Sequence, residues 1–397
     1  MNSNTSKPFD CVAETYSRFD INIVRGQGAR LWDDKGRQYI DFTSGIAVCS
    51  LGHCNPKVVE AVREQAGQLF HISNLYWTEP QLKVASTLVE HSCTDRVFFC
   101  NSGAEAVEAA IKLARRHGHA TRGPDCYEII TLEGSFHGRT LATITATGQP
   151  VYQRGFEPLP PGFTHVPLND TRALELAANR RRTAAILVEP IQGEGGVRPL
   201  SDAFLEATRA VADDLGAVLI FDEIQVGMGR TGTLFAYEQT PVEPDVICLA
   251  KALANGMPIG AMLAKEEIMK YLGPGSHAST FGGNPVACAA AGAVLDQFLQ
   301  TDILQQVKQK GEYLKKRLVE LTQDWREVRE VRGRGLIQAI EFHSPKPDLA
   351  SWLLEKGFLS IVSHGLILRL LPPFIIGREE IDQFIETLAE YKHGQDS

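Results

Sequence analysis

The chain of 397 residues is too long for one simple core, so its length predicts a large domain joined to a smaller one. A formal net charge of −8 argues against general electrostatic attraction to nucleic acid. No apolar run approaches the roughly 18–20 residues that span a bilayer, and residues 1–8 lack the apolar stretch of a secretory signal. With no Cys-x-x-Cys pair among the eight cysteines, these features predict a reduced, cytoplasmic protein.

The predicted elements follow an order that is typical of an α/β protein. The N-terminal part predicts strands at 29–33 and 38–42, then helices at 56–69 and 80–91. Apolar strands then alternate with helices, with strands at 96–100, 127–131, 184–189, 217–221 and 246–249 and helices at 104–117 and 201–215. Because the strands of this middle region do not alternate apolar and polar residues, they predict a mostly parallel sheet covered by helices.

From about residue 284 the pattern changes. A long helical stretch, with a break near 301–302, continues to residue 322. The remaining elements are predicted as strands at 336–342 and 366–370 and helices at 348–356 and 378–392. We therefore predict a large domain at 51–283 and a smaller α+β domain at 284–397, to which residues 1–50 contribute.

Lys251 and Asp222 give the strongest indication of a chemistry. Asp222 ends one buried apolar strand, and Lys251 ends the neighbouring apolar run. A lysine amine can form a Schiff base with an aldehyde, and a carboxylate can keep a pyridine nitrogen protonated. The pair therefore predicts a binding site for pyridoxal 5′-phosphate.

Other ligand-binding interpretations of nearby motifs are weaker. A strand ending in Asp222-Glu223 is also typical of a magnesium-binding ATPase, but the chain has no Gly-Lys dipeptide and hence no phosphate loop. The G-x-G-x-x-G match at 227–232 lies past the strand and precedes no clear amphipathic helix, which argues against dinucleotide binding. Cys49 and Cys54 lack a second pair of ligands, so no metal site is predicted.

The sequence around Ser102 predicts the start of a helix that could bind an anion. Ser102 and Glu105 have the spacing of a capping box, and Gly103 would let a ligand approach the backbone. The alternative is a capped helix with no ligand.

Four further residues suit a cofactor or substrate, and three of them also have an ordinary structural explanation. Phe136 could stack on a planar ring or belong to the core, and Arg139 could bind a carboxylate or lie on the surface. Glu194 lies in a glycine-rich loop that could simply be solvated. Arg369 lies in an apolar strand, where an arginine is costly to bury without an anionic partner.

All these motifs occur together and in this order between about residue 30 and residue 391. In this the chain closely resembles the class III (ornithine-type) pyridoxal-phosphate aminotransferases. Further segments that carry the resemblance are Gly45-Ile46-Ala47-Val48, Ser73-Asn74-Leu75-Tyr76, Gly155-Phe156-Glu157-Pro158-Leu159-Pro160 and Arg369-Leu370-Leu371-Pro372-Pro373. The resemblance implies the aspartate-aminotransferase-like fold (fold type I), pyridoxal 5′-phosphate as cofactor, and a homodimer with its active site at the subunit interface. At 252–258 the chain departs from the glycine run common in the family, so we expect altered loop packing there.

The resemblance also implies roles for individual residues. Lys251 would form the Schiff base with the cofactor, and Asp222 would pair with the ring nitrogen. The remaining cofactor contacts are implied for Ser102, Gly103, Ala104, Phe136, Gln225 and Thr280 of the partner subunit, although Thr280 could instead form a hydrogen-bonded turn.

For the substrates, the resemblance implies two arginines. Arg139, with Ser279 nearby, would bind the α-carboxylate of the amine donor. Arg369 would bind the α-carboxylate of 2-oxoglutarate or glutamate, and Glu194 would pair with Arg369 while the ω-amine is bound.

The implied reaction moves the δ-amino group of N2-acetyl-L-ornithine to 2-oxoglutarate in a ping-pong sequence, as in arginine biosynthesis. The open alternatives are other ω-amine donors, namely ornithine, succinylornithine, N-succinyldiaminopimelate and 4-aminobutyrate. An aminomutase and a non-catalytic relative are more remote alternatives.

Overall fold

The protein is described by a computed structural model that covers residues 11–395. The prediction about residues 1–8 therefore lies outside the described residues. Within the described part of the chain, no helix combines the length and the apolar character needed to cross a bilayer.

Seventeen strands are assigned within residues 11–395. In chain order they are β1 (Ile23–Gln27), β2 (Arg30–Asp33), β3 (Gln38–Asp41), β4 (Arg96–Cys100), β5 (Glu128–Leu132), β6 (Phe163–Val166), β7 (Thr183–Val188), β8 (Ile191–Gln192), β9 (Arg198–Pro199), β10 (Val218–Asp222), β11 (Val246–Leu249), β12 (Gly260–Ala264), β13 (Val328–Arg334), β14 (Ile337–Phe342), β15 (Phe358–Leu359), β16 (Ile361–Ser363) and β17 (Ile367–Leu370).

The α-helices within residues 11–395 lie between these strands and after the last of them. They are α1 (Ser44–Ala47), α2 (Pro56–Ala66), α3 (Glu79–Glu90), α4 (Gly103–Arg122), α5 (Leu141–Ala146), α6 (Pro150–Gln153), α7 (Thr171–Ala177), α8 (Asp202–Leu215), α9 (Glu266–Met269), α10 (Pro285–Gln300), α11 (Ile303–Thr322), α12 (Leu349–Glu355) and α13 (Arg378–Gln395). Two short 3₁₀ turns lie between these elements, at Ala236–Gln239 and Lys251–Ala254.

The central sheet has the strand order β4-β12-β11-β10-β7-β5-β6. Its strands are parallel except β12, which is antiparallel to both β11 and β4. The predicted mostly parallel sheet is therefore confirmed. Neither β6 nor β12 was predicted; β12 is built from glycine, alanine, methionine and leucine, which carry little intrinsic strand preference.

Helices cover the central sheet on both faces. Leu219 and Phe221 of β10 belong to one buried cluster, whereas Val218 and Ile220 belong to another. Helix α4 packs against β7, β11 and β12, and α10 packs against α2 and α3. Since both faces of each strand are buried, the strands are apolar throughout, which is the pattern the sequence shows.

The smaller layer combines both ends of the chain. Strands β1, β2 and β3 form a sheet with β15, in which Ile40 pairs with Phe358. A second antiparallel sheet has the order β13-β14-β17-β16. The predicted break near 301–302 lies between α10 and α11. The exact domain boundaries stay a prediction, since α10 packs on helices of the segment assigned to the large domain.

The glycine-rich loop at 227–232 lies where this layer meets the central sheet. Arg230 in the loop is fully buried and donates to the carbonyls of Leu336 and Pro372 and to Oγ of Ser50. A Cβ at Gly229 would lie 2.8 Å from the Phe374 ring, so glycine permits this close approach. The loop is thus hydrogen-bonded to Pro372, which lies just after β17 and three residues after Arg369.

Candidate active site

A cavity of about 370 Å³ lies beyond the carboxyl ends of β10 and β11 and beside the first turn of α4. Ligands of open α/β sheets bind in this position because strand ends and helix starts converge there. The predicted site residues that line it are Ser102, Gly103, Ala104, Phe136, Arg139, Asp222, Gln225 and Lys251.

Lys251 begins the 3₁₀ turn that follows β11. Its φ of 41° lies in the left-handed region, which costs free energy for a residue with a side chain. Burial lowers the pKa of the Lys251 ammonium below its ordinary value of 10.5, while the negative charge of Asp222 opposes that shift. Burial therefore favours the neutral amine, which is the form that attacks a carbonyl.

Asp222 occupies the last position of β10 and pairs with Cys248 of β11. Its Oδ1 accepts from the backbone N–H of Ile224 at 3.1 Å, and its Oδ2 lies 2.8 Å from Nδ1 of His137. The side chain is buried yet faces the cavity. A carboxylate held by two partners is well placed to accept a hydrogen bond from a protonated ring nitrogen.

The first turn of α4 presents unpaired backbone donors to the cavity. Ser102 Oγ accepts from the N–H of Glu105, and the Ser102 carbonyl accepts from the N–H of Ala106. Within residues 11–395, the N–H groups of Gly103 and Ala104 have no acceptor, as expected for the first helical positions. Their direction and the helix dipole suit a phosphate group.

Arg369 and Glu194 form an ion pair beside the cavity. Nη1 of Arg369 lies 2.6 Å from Oε2 of Glu194 and 3.1 Å from Oε1 of Gln225. Arg369 is 1% exposed, whereas the Glu194 side chain is 26% exposed and lies on the loop after β8. The buried cation therefore has a partner that is freer to move than the cation itself.

Nearly all of the described chain matches one protein family. The family model described as aminotransferase class-III covers residues 11–391. This chain is a class-III aminotransferase. It is 50% identical over 388 residues to an acetylornithine aminotransferase of Thermosynechococcus vestitus, covering 95% of this chain and 94% of the relative. It is also 49% identical over 380 residues to the acetylornithine aminotransferase of Methanocaldococcus jannaschii, covering 95% and 94%.

Solved structures of other class-III aminotransferases share the fold. The ornithine aminotransferase of Toxoplasma gondii superposes with a TM-score of 0.93 at 33% identity, covering 97% of this chain and 93% of that one. An N-acetylornithine aminotransferase of Stenotrophomonas maltophilia gives 0.80 at 38% identity, covering 94% and 95%. A second Toxoplasma structure is described as having pyridoxal phosphate in its active site at partial occupancy. The predicted family and fold are thus confirmed.

Two residues of this class-III aminotransferase were not assigned roles from the sequence. His137 is buried against Asp222, and its Nε2 has no partner within residues 11–395. Glu189 accepts from the N–H of Phe136 at 2.8 Å and from the N–H of Gly193 at 3.0 Å. Burial raises the pKa of Glu189 to about 7.

These two residues differ in how visible they are in the sequence. Glu189 follows an apolar strand as Asp222 ends one, and that shared position could have identified it. His137 shows no such signal, because its partner lies 85 residues away.

Besides Glu194 and Arg369, the predicted residues Ser279 and Thr280 do not line the cavity of a single chain. Oγ of Ser279 accepts from Nδ2 of Asn101 at 3.1 Å and from the N–H of Gly282 at 3.0 Å. Thr280 is exposed. The role of Thr280 of the partner subunit and the substrate role of Ser279 therefore stay predictions.

His53, which lies between Cys49 and Cys54 in the sequence, pairs with a carboxylate. Nε2 of His53 lies 2.7 Å from Oδ2 of Asp41. Among residues 11–395 no cluster of histidine, cysteine, aspartate or glutamate has the form of a metal site. In the loop at 252–258, Asn255 accepts from the N–H of Leu51 and donates to the Gly52 carbonyl, so side-chain hydrogen bonds fix this turn.

Proposed function

We propose that this class-III aminotransferase transfers the δ-amino group of N2-acetyl-L-ornithine to 2-oxoglutarate. The products are N-acetyl-L-glutamate 5-semialdehyde and L-glutamate, a step of arginine biosynthesis in the cytoplasm. The observation that carries the proposal is that only one of two arginines is ion-paired. Arg369 is paired with Glu194, whereas Arg139 has no anionic partner within residues 11–395. The names of the similar aminotransferases support the same donor.

The cavity residues fit pyridoxal 5′-phosphate. The free N–H groups of Gly103 and Ala104 suit its phosphate, and Asp222 suits its ring nitrogen. A Cβ at Gly138 would lie 2.9 Å from Cβ of Ala104, so this part of the wall has no room for a larger side chain. When bound, the cofactor supplies a conjugated ring that delocalises the negative charge left on the substrate carbon.

The chain's own residues divide the remaining work. Lys251 is the base that takes a proton from the substrate carbon, because its buried neutral amine lines the same cavity. Asp222 would hold a proton on the ring nitrogen of the bound cofactor, and His137 orients Asp222. Phe136 lies at the cavity wall, where its ring can cover a planar group and exclude water.

The two arginines solve a specificity problem. The donor has no carboxylate at its reacting carbon, whereas the oxo acid has one there. With Glu194 paired to Arg369, the donor meets a neutralised site, and its remote α-carboxylate is left to Arg139. When 2-oxoglutarate enters, Glu194 must leave so that Arg369 can bind the new carboxylate.

An absorption experiment tests the proposal directly. The yellow band of the cofactor-loaded protein is expected to bleach on adding N-acetylornithine and to return on adding 2-oxoglutarate. No change with N-acetylornithine would refute the proposed donor. Ornithine is the second candidate donor, because ornithine aminotransferases are among the similar structures. The same bleaching rate measured with ornithine ranks the two.

We also propose that the functional unit is a homodimer. Apolar side chains are exposed around the segment that carries Thr280, with Leu75 84%, Trp77 83% and Phe281 59% exposed. Such a patch on a single chain marks a protein interface. Sedimentation velocity should give twice the mass of 43.6 kDa, and a monomer at micromolar concentration would contradict the proposal.

A further inference from the structure

Arg139 is held at the cavity wall without an ion pair. Its guanidinium carbon lies 3.7 Å from the centroid of the Tyr152 ring and 5.3 Å from that of Phe136. Within residues 11–395, Arg139 has neither a hydrogen-bond acceptor nor a carboxylate partner. The contacts that locate this cation are therefore aromatic.

A guanidinium that lies over a ring keeps its edges free. Cation–π attraction acts through the flat face, whereas the N–H groups point outward in the plane of the group. Arg139 can therefore rest on Tyr152 and still donate two parallel hydrogen bonds to a carboxylate. The ring also reduces the rotamer freedom that a long, exposed side chain would lose on binding.

Tyr152 lies in the short helix α6, which is held by hydrogen bonds at both of its ends. Nε2 of Gln149 donates to the carbonyls of Gly134 and Ser135, in the loop that leads to Phe136. Nε2 of Gln153 donates to the carbonyls at the end of α5, those of Ile144, Thr145 and Thr147. Gln149 thus fixes α6 against the loop that leads to Arg139, and Gln153 fixes it against the end of α5.

The ring of Tyr152 also meets Phe136. The two ring centroids are 6.0 Å apart at an interplanar angle of 89°, an edge-to-face contact. Phe136 and Arg139 are the first and last residues of one four-residue segment, and both line the cavity. Tyr152 therefore sets the position of Arg139 relative to the residue predicted to cover the cofactor.

We propose that Tyr152 is a positioning residue that makes this enzyme selective for ω-amine donors carrying an α-carboxylate. This inference rests on the proposed function. Tyr152 acts through Arg139 and touches no substrate itself. It acts on the carboxylate that lies away from the reacting carbon, whereas the carboxylate at the reacting carbon of the oxo acid is left to Arg369, which lies on β17.

The test compares two donors that differ in one group. N-acetylornithine carries the α-carboxylate, and N-acetylputrescine is the same amine without it. Single-turnover kinetics of the cofactor-loaded protein are measured for Tyr152→Leu, which removes the ring, and Tyr152→Phe, which keeps it. The yellow band of the cofactor-loaded protein is measured in parallel and reports whether the fold and the cofactor site are intact.

We expect Tyr152→Leu to lower kcat/KM for N-acetylornithine about three- to tenfold, mainly through KM, because it removes one cation–π contact. The rate with N-acetylputrescine should stay within twofold of that of the original protein, and the yellow band should be unchanged. Tyr152→Phe should retain the original preference. Gln153→Met, which releases one anchor of α6, should shift the donor ratio in the same direction.

Three outcomes would overturn the inference. Equal losses with both donors would show that Tyr152 supports the cavity generally. An unchanged donor ratio in both Tyr152→Leu and Gln153→Met would show that Arg139 needs no support. A loss in Tyr152→Phe as large as in Tyr152→Leu would assign the effect to the hydroxyl. If the original protein does not turn over N-acetylornithine at all, the proposed function itself fails, which is a different result.

Discussion

Replacing Glu194 should change which amine this enzyme prefers. In the structure Glu194 neutralises Arg369 at a distance of 2.6 Å, and the cation is 1% exposed. An amine donor with a carboxylate at its reacting carbon, such as glutamate, must displace Glu194 before it can bind Arg369. Glu194→Ala removes that competitor, so we expect kcat/KM for glutamate to rise relative to N-acetylornithine.

The size of the effect follows from the ion pair. Two unit charges 2.6 Å apart attract by about 6 kcal/mol at an effective dielectric constant of about 20, but most of this offsets the desolvation of the buried cation. A hydrogen bond to a charged group contributes about 1.5–3 kcal/mol net. At about 1.4 kcal/mol per factor of ten, the ratio of the two kcat/KM values should change by roughly 10- to 150-fold.

Stopped-flow absorption measures both half-reactions on one preparation. Glu194→Gln is the matched control, since it keeps the side-chain volume and removes the charge, and it should shift the ratio less than Glu194→Ala does. A ratio within twofold of the original in Glu194→Ala would refute the masking of Arg369. Loss of activity with both amines to the same degree would instead assign Glu194 to general site architecture.

Three further predictions concern the base and two buried titratable groups, Glu223 and Arg230. Lys251→Ala should lower turnover by at least about 10⁴-fold, because the nucleophile and the base are lost together, and a steady-state glutamate-release assay checks this. Burial raises the pKa of Glu223 from its ordinary 4.5 to about 8, so the folded chain keeps a proton that the unfolded chain releases. Stability should therefore fall as pH rises from about 4.5 to about 8, and urea unfolding at pH 5 and pH 8 should show a loss of at least about 1.4 kcal/mol relative to Glu223→Gln. Arg230→Met should destabilise the protein by about 3–5 kcal/mol in urea, since three buried acceptors lose their donor.

Each of these has an outcome that contradicts it. A near-normal rate in Lys251→Ala would remove the base assignment. A stability difference between the original protein and Glu223→Gln that does not change with pH would show that Glu223 is ionised when folded. If Arg230→Met unfolds at the same urea concentration as Arg230→Lys, the three carbonyl and hydroxyl contacts of Arg230 contribute little.

Local sequence signals located most of the elements. Strands β4 and β11 were predicted with the observed bounds, because short apolar runs between turn residues are typical of buried strands. Helix α4 begins at Gly103, one residue before its predicted start, and Ser102 caps it as its spacing with Glu105 indicated. Strand β12 was missed because its residues carry little intrinsic strand preference and become extended only through pairing with two neighbouring strands.

The site was predictable where a residue has a position in the architecture. Asp222 and Lys251 lie at strand ends, and parallel strands bring such ends together. The partnership of His137 with Asp222 and the bridge that Glu189 makes between two loops depend on contacts across 53 to 85 residues, which leave no local pattern. Thr280 marks a further limit, since its predicted role needs a second chain.

The antiparallel strand β12 places a constraint on how such enzymes diversify. The segment from residue 250 to 259 leaves β11 and returns as β12, so both of its ends are hydrogen-bonded into one sheet. At the return point a Cβ on Gly260 would lie 2.2 Å from the Ser102 carbonyl oxygen, directly beside the start of α4. Any insertion in this hairpin would displace Lys251 relative to the anion-binding turn. New donor preferences must then arise in segments whose length is free to change, such as the loop that carries Glu194. The distance between Lys251 and the start of α4 stays the same.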